Sequence, residues 1–236
     1  MMRAITFDLW NTLLEDKHYT EYRIDSLSRI LGVEGFQIPK EDLLTAYRSA
    51  TDRYRRMWEI NHRHLHVDKR VEHMLKQLEI ELSDDVKLSI VEEFTRAFTV
   101  DPPSFKEDVK EVLERLGDYY VMGIISDTGV TPGTIIREHL ERTGILQFFS
   151  STVFSDEVGF CKPDPRVFEK ALRELKVRPE EAVHVGDLLR TDVVGAKNVG
   201  MKAVLVSNES DVRHVDCAPD YVISRLSELF DVLEQF

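Results

Sequence analysis

Residues 3–13 read RAITFDLWNTL. The first seven, RAITFDL, mix branched and aromatic side chains as a short buried strand does, and the strand ends on a carboxylate at Asp8. One strand alone has nothing to pair with, so its partners must lie further along the chain. They do not follow directly. From about Tyr19 to Phe98 the apolar residues take helical spacing, as in Leu43, Leu44, Tyr47, Tyr54, Met57 and Trp58. Gly32, Gly35 and Pro39 separate one helix from the next, and Leu82-Ser83-Asp84 reads as a turn feeding another. After Asp101-Pro102-Pro103 the pattern changes to alternating strand and helix. Strands are expected at Tyr119–Ile125, Ser151–Ser155, Ala182–Val185, Ala203–Val206 and Tyr221–Ile223. Helices are expected at 106–116, 132–143, 165–175, 190–199 and 225–235. Such alternation predicts an α/β fold with a parallel sheet covered on both faces. The first strand joins that sheet, and the helical block is an insertion after it. The expected division is a core of residues 1–14 and 100–236 and a helical domain of residues 15–99.

Composition narrows the partners. The chain of 236 residues carries a formal net charge of −12, with 42% hydrophobic and 31% charged residues, the balance of a globular protein. So acidic a surface disfavours nucleic acid and anionic membrane. No apolar run reaches the roughly 18 residues that span a bilayer, and MMRAITFDLW lacks the regions of a signal peptide. Cys161 and Cys217 form no disulfide framework and suit a reducing compartment, so a cytoplasmic location is expected, as a monomer or homodimer.

Four polar clusters fall at the expected carboxyl ends of strands, where open α/β sheets bind ligands. Asp8, with Thr12 four residues on, either caps the next turn or carries chemistry. Ser126-Asp127 after an apolar strand either starts a turn or presents a hydroxyl. In Lys162-Pro163-Asp164-Pro165 the second proline suits the first turn of a helix, while Lys162 is an exposed cation or a fixed one facing an anionic substrate. Asp187 and Asp192, five apart in GDLLRTD, either favour a helix N-terminus or offer hard oxygens to Mg²⁺. Each cluster has a local explanation; none of those explains why all four terminate strands of one sheet.

In this order, DxxxT, a serine after a strand, lysine before Pro-Asp-Pro, and GDLLRTDVVGAKNVGM resemble the four motifs of the haloacid dehalogenase-like hydrolases. The helical insertion resembles that family's cap domain, on a Rossmann-like parallel sheet core. The resemblance implies a small anionic substrate and Asp8 as a nucleophile that forms a covalent intermediate. It implies Ser126 and Lys162 as catalytic partners that hold the transferring group's oxygens. It also implies Mg²⁺ held by Asp8, the backbone carbonyl of Trp10, Asp187 and Asp192, with Thr12 orienting the loop. Asp127 stands where the family often has asparagine, and with Thr12 it is a candidate substrate contact.

Trp10 departs from the pattern, because the family's phosphatases carry a second aspartate there as acid and base. Indole cannot fill that role, whose loss typically costs on the order of 10²–10⁴ in rate. An aromatic residue at this position resembles the 2-haloacid dehalogenases, which use no metal and release halide without a proton. The Asp187 and Asp192 pair resembles the Mg²⁺-dependent phosphatases instead. Without a cation, Asp8, Asp187 and Asp192 would crowd like charges, with only Lys162 to offset them. The expectation is therefore a Mg²⁺-dependent phosphatase acting through an aspartyl-phosphate. A metal-independent 2-haloacid dehalogenase and a non-hydrolytic member that binds a phosphorylated ligand are the alternatives.

Residues 47–66 are locally basic, and Arg48 is a candidate substrate contact, although the arginines also suit a solvated helix face. His62, His64 and His66 alternate there and read as an exposed loop rather than a metal tract.

Overall fold

A computed structural model describes residues 1–207 and 217–236. Its contacts divide the chain into two compact units: residues 1–16, 103–127 and 140–236, and residues 17–102 with 128–139.

The first unit is built on a six-stranded parallel sheet. Its strands are β1 (Ala4–Phe7), β2 (Val121–Ser126), β3 (Ser151–Phe154), β4 (Ala182–Gly186), β5 (Lys202–Val206) and β6 (Tyr221–Ile223). They lie in the order β3-β2-β1-β4-β5-β6. This is the Rossmann-like order, and it reverses direction between β1 and β4. The crevice beyond the carboxyl ends of those two strands is where such sheets place ligands. β1 is one of the two central strands, with all four residues buried, and Ala4 to Phe7 pair residue by residue with Ala182 to Val185 of the other. One face of the sheet packs Ala4, Ala182, Ala203 and Leu205 against Val167, Phe168, Ala171 and Leu172.

The second unit holds the helical insertion: α1 (Thr20–Val33), α2 (Lys40–Asn61), α3 (Val67–Gln77) and α4 (Asp84–Val100). Gly35 takes φ 90° in the turn after α1, a conformation that favours glycine, and the Ser83 side chain caps α4 by accepting from Val86 N. Ile24, Leu27, Leu31, Leu43, Met74 and Phe94 close its core. Residues 128–139 group with these helices because Tyr54 Oη donates to Thr128 O and Arg70 Nη2 to Gly129 O. Val130 enters the same apolar core. The insertion leaves and re-enters the first unit at adjacent points: Glu15 N donates to Ser104 O and Lys106 N to Leu13 O.

The remaining helices are α5 (Val109–Gly117), α6 (Gly133–Arg142), α7 (Ser155–Val158), α8 (Pro165–Leu175), α9 (Val194–Asn198) and α10 (Leu229–Leu233). Several limits differ from the expected ones for local reasons. α5 starts at Val109 rather than 106, because Lys106 pairs with Leu13 and Asp108 adopts φ 64°. β2 starts at Val121, since Tyr119 and Tyr120 donate back to Leu116 O and finish the helix turn. The helix expected over 190–199 is a π-helical turn, Leu189–Val193, running into the short α9. The last helix is a 3₁₀ turn, Leu226–Glu228, followed by α10. Among the described residues no helix is long and apolar enough to cross a membrane.

Candidate active site

The amide of Asp8 keeps the register of β1, donating to Val185 O at 2.8 Å. The backbone then turns sharply: Asn11 adopts φ 56°, and both Leu13 N and Leu14 N donate to Leu9 O. This turn buries Thr12 and leaves Trp10 half-buried. Asp8 itself is 5% exposed.

Lys162 reaches Asp8 from the loop ahead of α8. Its buried Nζ donates to Asp8 Oδ1 at 2.5 Å and to Asp192 Oδ1 at 2.6 Å. The following peptide, Lys162-Pro163, is cis. Asp164 caps α8, accepting from Arg166 N, with Pro165 at the first position, so this part of the motif builds the helix start. Asp127 Oδ1 accepts from Lys162 N at 2.9 Å and so ties the end of β2 to the lysine loop. The structure therefore places Asp127 against the backbone of Lys162, a contact that needs no substrate.

At the end of β4, Gly186 and then Asp187 lead into the π-helical turn. Asp192 N donates to Leu188 O, and Leu188 N donates to Asp192 Oδ2 at 2.9 Å, which closes a reciprocal pair. The carboxylate folds back over Gly186, where an added Cβ would lie 2.3 Å from Asp192 Cγ. Gly195 plays the same part for Phe168: a Cβ there would lie 2.3 Å from the Phe168 ring. Two of the run's three glycines thus permit close approaches that fix Asp192 and its surroundings.

Asp8, Asp187 and Asp192 each present an oxygen, and the three lie within 4.8 Å of one another. Burial, then the charges of Asp192 and Asp187, raise the pKa of Asp8 against the opposing pull of Lys162. Asp187, half-buried, is pushed up to about 6 by burial and by Asp192. Burial also works against Asp192, but Lys162 and a hydrogen bond from His184 outweigh it and its pKa falls. The two lysine-bound carboxylates move in opposite directions because Asp192 has a further donor in His184, whereas Asp8 is repelled by Asp192 and Asp187. The lysine is itself held charged: burial opposes its charge, and Asp192 and Asp8 overcome that.

Two hydroxyls add to the picture. Ser126 Oγ, at the end of β2, and Thr12 Oγ1 are buried and have no hydrogen-bond partner among the described residues. A buried polar atom without a partner costs free energy, of order 1–3 kcal/mol each, so such atoms mark places where a ligand or water belongs. A cavity of about 900 Å³ opens beside the acidic cluster, bordered by Asn11, Thr12 and Asp187 and, further out, by Lys106, Ser207 and Arg225.

The first unit therefore assembles Asp8, Trp10, Thr12, Ser126, Asp127, Lys162, Asp187 and Asp192 around the carboxyl ends of β1, β2 and β4. Arg48 lies exposed on α2, in the helical unit. Sequence reasoning passed over Thr6 and His184, which connect to Asp192 through hydrogen bonds. The available signal was a polar residue in the middle of each of two strands otherwise read as buried.

A family model for haloacid dehalogenase-like hydrolases matches residues 2–200. Over 132 residues the chain is 41% identical to a glyceraldehyde 3-phosphate phosphatase of Pyrococcus furiosus, which covers 53% of this chain and 52% of the relative. It thus spans about half the length of the curated relatives it matches. Among solved structures, an HAD phosphatase from Thermococcus onnurineus superposes with a TM-score of 0.69 at 30% identity, covering 98% of each chain. A 2-haloacid dehalogenase from Pseudomonas syringae pv. Tomato DC3000 superposes with a TM-score of 0.76 at 26% identity, covering 100% of this chain and 99% of that one. With its ordered motifs, its sheet and its inserted helices, the chain belongs to the haloacid dehalogenase-like hydrolases.

Proposed function

We propose that the chain is a Mg²⁺-dependent phosphohydrolase acting on a small phosphorylated metabolite. The observation that carries this reading is the approach of Asp8, Asp187 and Asp192 to within 4.8 Å of one another beside a lysine that bonds Asp8 and Asp192, with the pKa values of Asp8 and Asp187 raised. Three carboxylates against one ammonium leave uncompensated charge in a half-buried cleft, and an all-oxygen donor set is what Mg²⁺ takes. The residues therefore fit the ion. Asp8, Asp187 and the backbone carbonyl of Trp10 would hold it, and it would supply a Lewis acid that draws electron density from the phosphoryl oxygens. Asp192 has both oxygens engaged by Lys162, His184 and Leu188 N, so it serves the site by bracing Lys162.

Within that frame Lys162 occupies Asp8 Oδ1 and leaves Oδ2 as the oxygen available for bonding. The Asp8 carboxylate attacks phosphorus, the bond to the leaving oxygen breaks with its electron pair, and water later releases phosphate from the aspartyl-phosphate. Ser126 Oγ and Lys162 Nζ bind the transferring oxygens, which gives the unpartnered serine hydroxyl its acceptor. Thr12 Oγ1 is proposed as a further contact from the β1 turn. The similarity to glyceraldehyde 3-phosphate phosphatases supports a small phosphorylated metabolite.

A second reading, a metal-independent 2-haloacid dehalogenase, draws on Trp10 and on the likeness to the Pseudomonas syringae dehalogenase. An aryl phosphate separates the two, since its leaving group needs little help from an acid. The phosphohydrolase reading expects phosphate release that needs Mg²⁺, stops with EDTA and is lost in Asp8→Asn. Phosphate release indifferent to EDTA sinks the metal-dependent reading, and halide release from 2-halopropionate without metal establishes the other.

A further inference from the structure

Thr6 and His184 face each other as register partners on β1 and β4. Both are buried, at 0% and 1% exposure, on the sheet face that otherwise packs alanine, valine, leucine and phenylalanine. Polar groups in such a layer persist only when their hydrogen bonds are met. Here they form a file: Thr6 Oγ1 lies 2.9 Å from His184 Nδ1, and His184 Nε2 lies 3.1 Å from Asp192 Oδ1. The same oxygen accepts from Lys162 Nζ, which also holds Asp8.

We propose that Thr6 and His184 are positioning residues: the Thr6 hydroxyl fixes His184 as the Nε2–H tautomer, which holds Asp192 and thereby aims Lys162 at Asp8.

The proton directions follow from the partners. An ionised Asp192 only accepts, so His184 Nε2 must carry a hydrogen, and a neutral ring then offers Nδ1 as an acceptor. Thr6 Oγ1 fills it by donating, because its other acceptor, Val183 O, lies at 3.5 Å. The alternative, in which Nδ1–H donates to Thr6, requires a charged ring, and burial opposes that charge. The plane of the His184 ring is set by Phe168, edge-on at 5.2 Å, and Phe168 in turn occupies the space that Gly195 leaves. The GDLLRTDVVGAK run and the two central strands therefore act on one atom, Asp192 Oδ1. Residues that orient the partners of a reactive centre typically change activity by about ten- to a hundredfold when removed.

Only the activity half of this inference rests on the phosphohydrolase reading. The test uses the full chain labelled with ¹⁵N-histidine, as wild type, Thr6→Val and Thr6→Ser. Long-range ¹H–¹⁵N spectra should show His184 as the neutral Nε2–H tautomer in the wild type and a mixture of tautomers in Thr6→Val. Thr6→Ser should restore the wild-type spectrum. With an aryl phosphate, Thr6→Val should lower kcat about tenfold while KM stays within about twofold, and Thr6→Ser should recover kcat. A wild-type ring that is charged or carries its hydrogen on Nδ1 overturns the proposal. So does a Thr6→Val protein with unchanged spectrum and kcat, or a loss that Thr6→Ser does not repair. The spectra need no substrate, so they stand or fall apart from the reaction class, which falls instead if Asp8→Asn keeps its activity.

Discussion

At the scale of single residues, the site is an exercise in fixing one ammonium between two carboxylates. Asp192 is held by three donors, and its side chain lies where Gly186 has no Cβ. Gly186→Ala should therefore force Asp192 off its position. Overpacking of this kind costs about 1–3 kcal/mol, to be read by chemical denaturation, and activity should fall with it. Asp187 sits in the opposite condition, half-buried, with its pKa raised and no ion pair among the described residues. Asp8, Ser126, Asp187 and Asp192 were legible in the sequence because each ends a strand or belongs to the turn after it, and Lys162 because it stands just before the prolines that lead into α8. Thr6 and His184 were not, since their significance lies in cross-strand register and a linear pattern does not state which residues of β1 and β4 face each other. The role of Asp127 was equally hidden, because its partner is a backbone amide 35 positions away.

At the scale of elements, the parallel strands gather the candidate site at their carboxyl ends, while their opposite ends are tied down by ordinary ion pairs. Asp220 shows the latter. It accepts from Ala203 N at 2.8 Å and pairs with Lys197 at 2.8 Å and Lys202 at 3.2 Å, fastening the start of β5. Burial opposes its charge, but these donors lower its pKa below 3.8. A carboxylate with a depressed folded pKa adds stability above its unfolded value, and loses it as pH falls through the folded value. Asp220→Asn should thus lower Tm at neutral pH, and the difference should shrink as the pH is taken below about 3.8. Thermal melts at both pH values check the sign. Strand positions were well marked by composition here, as was the start of α8 at Pro165, whereas the starts of α5 and of the helix after β4 were not. A left-handed Asp108 delays α5, and the π-helical turn at Leu189–Val193 replaces a regular helix because Asp192 must fold back to its own turn.

At the scale of the whole molecule, two compact units share one chain, and the helical one interrupts the other between Asp16 and Pro103. The interruption was readable from the change of period after β1. The capture of residues 128–139 by the helical unit was not, because it depends on Tyr54 and Arg70 binding carbonyls of a loop that follows a sheet strand. Uncompensated charge at Asp8 and Asp187 should make stability respond to divalent cations. Raising Mg²⁺ should raise Tm in a concentration-dependent way, as for any ligand that binds only the folded state. In Asp187→Asn that response should shrink, while Tm in EDTA should rise, because a repelled carboxylate has become neutral. The most direct test of the central claim looks for the bond to Asp8 itself. The protein is mixed with excess aryl phosphate and Mg²⁺, quenched in acid during turnover and treated with borohydride, and the peptide carrying Asp8 is sequenced by mass spectrometry. The account predicts hydride reduction of an aspartyl-phosphate, so that Asp8 is recovered as homoserine. Phosphate release with Asp8 recovered unchanged, or with the reduced residue elsewhere in the chain, would contradict it.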